Sequence, residues 1–242
     1  MKQIFFALGL SVLTGFPAFS QSAAGPEPLT CLLAPNLSSN IGSDRGGIVL
    51  EVPVSRADLV QKGDPLVRVD AQRVEAELRL TEITIAALSA QLERAERLSQ
   101  RNLIPADELE KLQTDLLLAQ AEADRARLEL ERSFIRAPFS GIVISVDVSP
   151  GELIGSDPLV RLVDISSLKA EMIFLDGAFG QITAGQEVEL AIDLTGAVVS
   201  GRIQAIDPIL DPASNTFSVS ADVANPDLAL PAGVSCRVQG WR

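Results

Sequence analysis

GGIVLEVPVSRADLVQKGDPLVRVD, residues Gly46–Asp70, returns as SGIVISVDVSPGELIGSDPLVRLVD at Ser140–Asp164. Gly47-Ile48-Val49 aligns with Gly141-Ile142-Val143, and Val54-Ser55 with Val148-Ser149. Asp58-Leu59-Val60 aligns with Glu152-Leu153-Ile154, and DPLVR is identical in both copies. Such self-similarity has to be settled before any fold is assigned. Two copies do not make a solenoid, and the chain between them has a different texture. The simplest architecture is one β module in two halves, 46–70 and 134–165, with an insertion between them. Each half carries β-branched runs bounded by turn residues, Lys62-Gly63-Asp64 in one and Pro150-Gly151 in the other. Each reads as about four short strands of a small β-sandwich.

The insertion, 71–133, has helical period. Val74, Leu78, Thr81, Ile85, Leu88, Leu92 and Ala95 follow alternating four- and three-residue steps. Arg101-Asn102-Leu103-Ile104-Pro105 breaks the pattern, and it resumes at Leu109, Leu112, Leu116, Ala119, Ala123, Ala126 and Leu130. Two long helices joined by so short a break run antiparallel as a coiled-coil hairpin. Pro105 suits the first turn of the returning helix, where its missing amide costs nothing. The second helix ends by Arg136, before Ala137-Pro138.

From 166 to 242 the chain becomes all-β. Ala170, Met172 and Phe174 alternate with Glu171, Ile173 and Leu175. Val188-x-Leu190-x-Ile192, Phe217-x-Val219-x-Ala221-x-Val223 and Val234-x-Cys236-x-Val238 repeat the pattern between turns, as in a small barrel. Residues 28–45 add an N-terminal strand to it, with Leu29, Cys31 and Leu33 alternating. The fold class is therefore mainly β, a sandwich split by an α-helical hairpin plus a small β-barrel. At the start, Lys2, the apolar run Ile4–Phe19 and Ala18-Phe19-Ser20 spell a cleavable secretory signal peptide over 1–20.

Composition excludes much. The chain has 20 Lys+Arg against 32 Asp+Glu, a net charge of −12, which opposes binding to nucleic acid and to anionic lipid. It has no His and no Tyr, so the commonest general base and metal ligand is missing. Two Cys cannot build a four-ligand zinc site, and no Ser lies in a nucleophile-elbow context. No catalytic residue, metal ligand or cofactor is expected.

Taken in order, the split repeat, the hairpin, RAPFSGIVISVDVSPGELIGSDPLVRLVD and AIDPILDPASNTFSVSADVANPDLALPAGVSCRV resemble the periplasmic adaptor subunits, or membrane-fusion proteins, of RND and haemolysin-D type tripartite efflux systems. The resemblance covers about 28–242. It implies a lipoyl-like (biotinyl/lipoyl) sandwich and a non-catalytic adaptor peripheral to the inner membrane. The implied partners are an inner-membrane RND transporter, a TolC-type outer-membrane channel and further copies of the chain in a hexameric ring. An ABC transporter is the alternative inner partner, and a stand-alone periplasmic binding module the alternative of another class. Lipoyl-like carriers place a modified Lys in the turn joining the halves; here that turn is the hairpin, so no lipoate or biotin is implied. The family's membrane-proximal domain is expected to be absent or vestigial.

The family's hairpin tip docks on the channel through R-x-x-x-L-x-x-x-x-x-x-S. Arg94 and Leu98 match the first two positions, and Pro105 stands where Ser is usual. The resemblance thus marks Arg94, Leu98, Arg101, Asn102, Leu103 and Pro105 as the docking tip. On the residues alone, Arg94 reads equally as a solvated helix charge and Leu98 as coiled-coil packing. In an oxidising compartment Cys31 and Cys236 are either a structural disulfide, if the first strand lies beside the last, or two buried thiols.

Overall fold

The computed structural model describes residues 25–242; the expected signal peptide lies outside the described residues. The strands are β1 (Thr30–Gly42), β2 (Gly47–Glu51), β3 (Leu59–Val60), β4 (Pro65–Val69), β5 (Phe134–Arg136), β6 (Gly141–Val146), β7 (Leu153–Ile154), β8 (Pro158–Leu175), β9 (Glu187–Ile192), β10 (Val198–Ile206), β11 (Thr216–Ala224) and β12 (Val234–Trp241). Between β4 and β5 stand α1 (Gln72–Ser99) and α2 (Ala106–Glu131). Two compact units result. One gathers residues 25–31, Glu171–Ala221 and Ser235–Arg242; the other holds Leu32–Ala170 and Asp222–Val234.

In the second unit the duplicated halves interlock. β2 of the first half pairs antiparallel with β7 of the second, while β6 of the second pairs with β3 of the first. The hydrogen bonds repeat with the sequence. Val49 N donates to Glu152 O at 2.9 Å, and its repeat equivalent Val143 N donates to Asp58 O at 3.0 Å. Ser55 N donates to Asp58 Oδ2 at 2.7 Å, and Ser149 N to Glu152 Oε2 at 2.9 Å. Because each half completes the other's sheet, neither can bury its apolar face alone. The order β5-β4-β2-β7 forms one layer, and β8-β6-β3 the other. Between them lie Val49, Val60, Leu66, Val67, Val143, Ile154, Leu159, Val160 and Leu162, all buried. The repeated glycines are required by close approach. A Cβ on Gly141 would collide with the carbonyl oxygen of Val163, and one on Gly47 with the Val69 side chain.

The first half has three strands, not four; Glu51 is followed by an unpaired stretch and a turn at Ser55–Asp58. That turn holds Ala57 at φ +73°, where the second half has Gly151 at φ +85°. An L-residue there pays the steric cost of left-handed backbone that glycine avoids. Ala57→Gly is expected to stabilise the protein by about 0.5–1 kcal/mol, read as a higher urea midpoint at unchanged slope.

The second half closes on Asn225, buried, which no sequence pattern marks. Its Nδ2 donates to Ile165 O at 2.8 Å and Leu230 O at 2.9 Å, and its Oδ1 accepts from Leu230 N at 3.0 Å. Asp164, the last residue of the repeat, is pushed up by burial, but hydrogen bonds from the Ser166 hydroxyl and backbone and from Asn36 outweigh this and hold its carboxyl below the usual range. Its counterpart Asp70 accepts from Gln72 N at 2.9 Å and opens α1 instead.

β12, β9, β10, β11 and β8 are successive neighbours; β1 flanks β12 and pairs back onto β8, which closes these six strands into a barrel. β10, Val198–Ile206, was not evident from the sequence: its inward positions include Gly201, which supplies no apolar signal. Met172, Phe174, Val188, Leu190, Ile192, Phe217 and Val219 fill the interior. The Phe174 and Phe217 rings stack at 5.8 Å between centroids. Cys31 and Cys236 are paired as a disulfide, with Cα atoms 5.0 Å apart. Among the described residues no helix is long and apolar enough to cross a membrane.

Candidate functional site at the hairpin tip

The hairpin is a strut with one polar end. Of the fourteen seam positions read from the sequence, Val74 and Ala95 on α1 and Ala119, Ala123 and Ala126 on α2 are buried, and the others are half-buried. Alanines at the contact let the helix axes approach closely. Two ion pairs cross the seam, Glu77–Arg125 and Glu82–Arg127, each at 3.1 Å. Exposed pairs add little stability, but they fix the level of one helix against the other. The Glu82 carboxylate, aided by Asp124, holds the Arg127 guanidinium above its ordinary pKa against slight desolvation. At the base, Val69 N donates to Ser133 O at 2.9 Å, which joins the entry and exit of the hairpin. At roughly 1.5 Å per residue, 28 and 26 helical residues give a rod of about 40 Å.

The tip is built by a Schellman closure of α1. Leu103 N donates to Leu98 O at 3.0 Å, and Asn102 N to Ser99 O at 2.8 Å. Asn102 takes the left-handed position at φ +55°, which asparagine tolerates better than most residues. Pro105 is not in the first turn of α2, as the sequence suggested. It is the residue before it, extended at φ −64° and ψ 150°, with Ala106 beginning the helix. Extended backbone here turns the chain back sharply, and Asp107 and Glu108 then face the positive end of α2.

All six tip residues named from the sequence are exposed: Arg94, Leu98, Arg101, Asn102, Leu103 and Pro105. Leu98 does not pack in the seam; it lies one position before the seam site at Ser99 and is 41 % exposed. Arg94 and Leu98 are one turn apart on the same helix face. Arg97 pairs with Glu93 at 2.7 Å, whereas Arg94 and Arg101 have no ion-pair partner among the described residues. Among the described residues the tip thus carries two guanidinium groups without an ion-pair partner beside exposed leucines.

Two family models cover the chain, the CzcB-like barrel-sandwich hybrid domain over residues 38–164 and the CusB-like β-barrel domain over 171–240. The chain belongs to the membrane-fusion adaptor family of efflux systems. Among curated proteins it is 27% identical over 233 residues to nodulation protein NolF of Rhizobium meliloti, covering 90% of this chain and 64% of that one. It is 25% identical over 236 residues to the nickel and cobalt resistance protein CnrB of Cupriavidus metallidurans, covering 91% and 60%. The chain thus spans less than two thirds of these relatives' length. Among solved structures, the adaptor's fold matches a MacA–MexA chimera carrying the Pseudomonas aeruginosa MexA α-hairpin domain, with TM-score 0.77, 22% identity and coverage of 86% and 78%. It also matches the membrane fusion protein Spr0693 of Streptococcus pneumoniae R6, with TM-score 0.74, 17% identity and coverage of 88% and 98%.

Proposed function

We propose that this adaptor works in the periplasm as a non-catalytic bridge, joining an inner-membrane RND-type transporter to a TolC-type outer-membrane channel. The observation that carries this is the rigid hairpin ending in an exposed tip whose Arg94 and Leu98 match the docking pattern. The barrel and sandwich are the parts available to the transporter. The tip meets the channel. The adaptor supplies spacing and sealing, and the partner supplies the energy. The nickel and cobalt in its relatives' names are properties of those proteins, and the cargo of this chain is left open.

A bridge of this kind needs several struts, and the outer faces of the hairpin suit that. Opposite its seam, α1 presents Arg73, Ala76, Leu80, Ile83, Ala87, Ala90, Arg94 and Arg97, all exposed. At matching levels α2 presents Glu131, Leu128, Asp124, Ala121, Leu117, Thr114, Glu110 and Asp107, also exposed. The middle of each stripe is largely apolar, and each arginine of one stands level with an acid of the other. Copies standing side by side, α1 against the neighbour's α2, would cover both stripes and extend into a closed ring; six copies is the number the family resemblance implies.

Ile83→Glu and Leu117→Glu are expected to leave helicity and melting temperature unchanged, since both positions face water. Each should weaken self-association at least tenfold by sedimentation. Association unaltered by either change would overturn side-by-side packing. Co-purification with the transporter distinguishes the inner partners: a polytopic RND protein fits the proposal, and a nucleotide-binding ABC protein replaces that half of it.

A further inference from the structure

From Pro26 to Leu32 the only buried side chain is Cys31, 7 % exposed. Glu27, Leu29, Thr30 and Leu32 are exposed, and the next buried anchor is Leu33. The bonded partner, Cys236, stands on β12. A groove of about 310 Å³ is lined on one side by residues 27–30 and on the other by Arg237 and Val238, and both cysteines border it. Residues 27–30 therefore stand off from β12 instead of packing on it. Ahead of β1, two hydrogen bonds hold the segment among the described residues. Leu29 N donates to Ile173 O at 2.7 Å, and Trp241 Nε1 donates to Pro26 O at 3.1 Å. Cys31 thus supplies the segment's one buried attachment, and that attachment is a bond that thiols can break.

We infer that residues 26–32 are a redox-released strap. The bridge holds them on the barrel, and a dithiol reductant entering the groove sets them free while the barrel stays folded. One thiolate of the reductant attacks a sulfur of the bridge. The S–S bond breaks, and the other cysteine leaves as a thiolate and takes a proton from water. The reductant's second thiolate then displaces the first cysteine from the mixed disulfide, and that cysteine is protonated in turn. Two electrons pass to the adaptor, which gains two thiols, and the reductant departs as a disulfide.

Opening of this kind stays local, because the rest of the strand has its own anchors. Leu33 is fully buried, and β1 remains paired with β12 and β8. Trp241 responds to the strap. Its indole loses the Pro26 carbonyl, while its ring stands 6.1 Å from that of the fully buried Phe174 between centroids. Trp241 is the chain's sole tryptophan, so its emission reports on this one place. The inference is independent of which partners the adaptor joins.

Reversible reduction of the intact exported chain tests it. Dithiothreitol is added well below the melting temperature, and amide exchange, Trp241 emission and alkylated thiols are followed together. Two thiols are expected to become alkylatable and Trp241 emission to move to longer wavelength. The Leu29 amide is expected to exchange faster by about tenfold or more, and amides of β9 and β10 to change by less than about twofold. Reoxidation with oxidised glutathione should restore every signal. A bridge that resists dithiothreitol in the folded chain overturns the inference. So does a reduced chain with Leu29 still protected and Trp241 emission unmoved. Loss of protection in β9 and β10 together with Leu29 also overturns it, since the bridge is then purely structural. Cys31→Ser combined with Cys236→Ser should show the free-strap emission and exchange with no reductant present. A response to dithiothreitol that persists in this variant overturns the inference as well; were the variant to misfold, reduction of the native chain decides alone.

Discussion

Replacing Cys31 and Cys236 together by serine is expected to lower the melting temperature by roughly 5–15 °C. The two cysteines are 205 residues apart in sequence, so the bridge restricts nearly the whole unfolded chain. Closing a loop of that length stabilises by roughly 2–5 kcal/mol, and each kcal/mol moves the transition of a domain this size by about 2–4 °C. The bridge also anchors the first strand. β1 enters the barrel at Thr30, and Leu29 N donates to Ile173 O at 2.7 Å, while Trp241 Nε1 reaches Pro26 O at 3.1 Å. Without the covalent tie only non-covalent contacts, these and the pairing of β1 with β12 and β8, hold the N-terminal strand where the barrel closes. The native chain from an oxidising compartment should therefore take up no alkylating reagent until reduced. Two alkylated thiols in folded, unreduced protein, with an unchanged melting temperature in the serine variant, would show that no bridge forms.

The second large effect belongs to the tip. Arg94→Glu combined with Leu98→Ala is expected to abolish channel engagement while changing stability by no more than about 0.5 kcal/mol, because both side chains are exposed and neither holds the seam. Arginine is among the residue types whose loss at the centre of a contact weakens binding most, commonly by about 2 kcal/mol or more. That corresponds to about thirtyfold in affinity for one such residue. Export by cells relying on this adaptor should fall in step, with self-association intact. Wild-type export from the double variant, at wild-type protein level, would remove the tip from the mechanism.

How much of this could be read from the sequence depends on the range of the interaction concerned. The repeat was legible because both copies obey the same local demands: Gly47 and Gly141 where no Cβ fits, and Asp58 and Glu152 closing the same turn on Ser55 and Ser149. The hairpin was legible because a seam has a fixed period, and all fourteen seam positions lie on the inner face. Ala57 was not, since alanine gives no sign of left-handed backbone; only its alignment with Gly151 hints at it. Pro105 was placed one residue too far into α2, an error within the range where helix ends are set by capping and not by pattern. β10 was hidden by Gly201, and Asn225 by the fact that its partners, Ile165 and Leu230, are fixed only by the tertiary fold. For the tip, the sequence supplied the residues but left Leu98 undecided between seam and surface. The helical register decides this: α1 runs through Ser99, the seam site, and Leu98, one position earlier, is exposed.

The central claim is that this tip touches an outer-membrane channel, and a photoreactive residue in place of Leu98, activated in intact cells, tests it most directly. The expected result is a covalent adduct with an outer-membrane channel protein, lost when Arg94 is changed to Glu and absent when the photoreactive residue stands instead at seam position Ala123. An adaptor that is expressed, folded and exporting, yet gives no channel adduct from Leu98, would contradict the account.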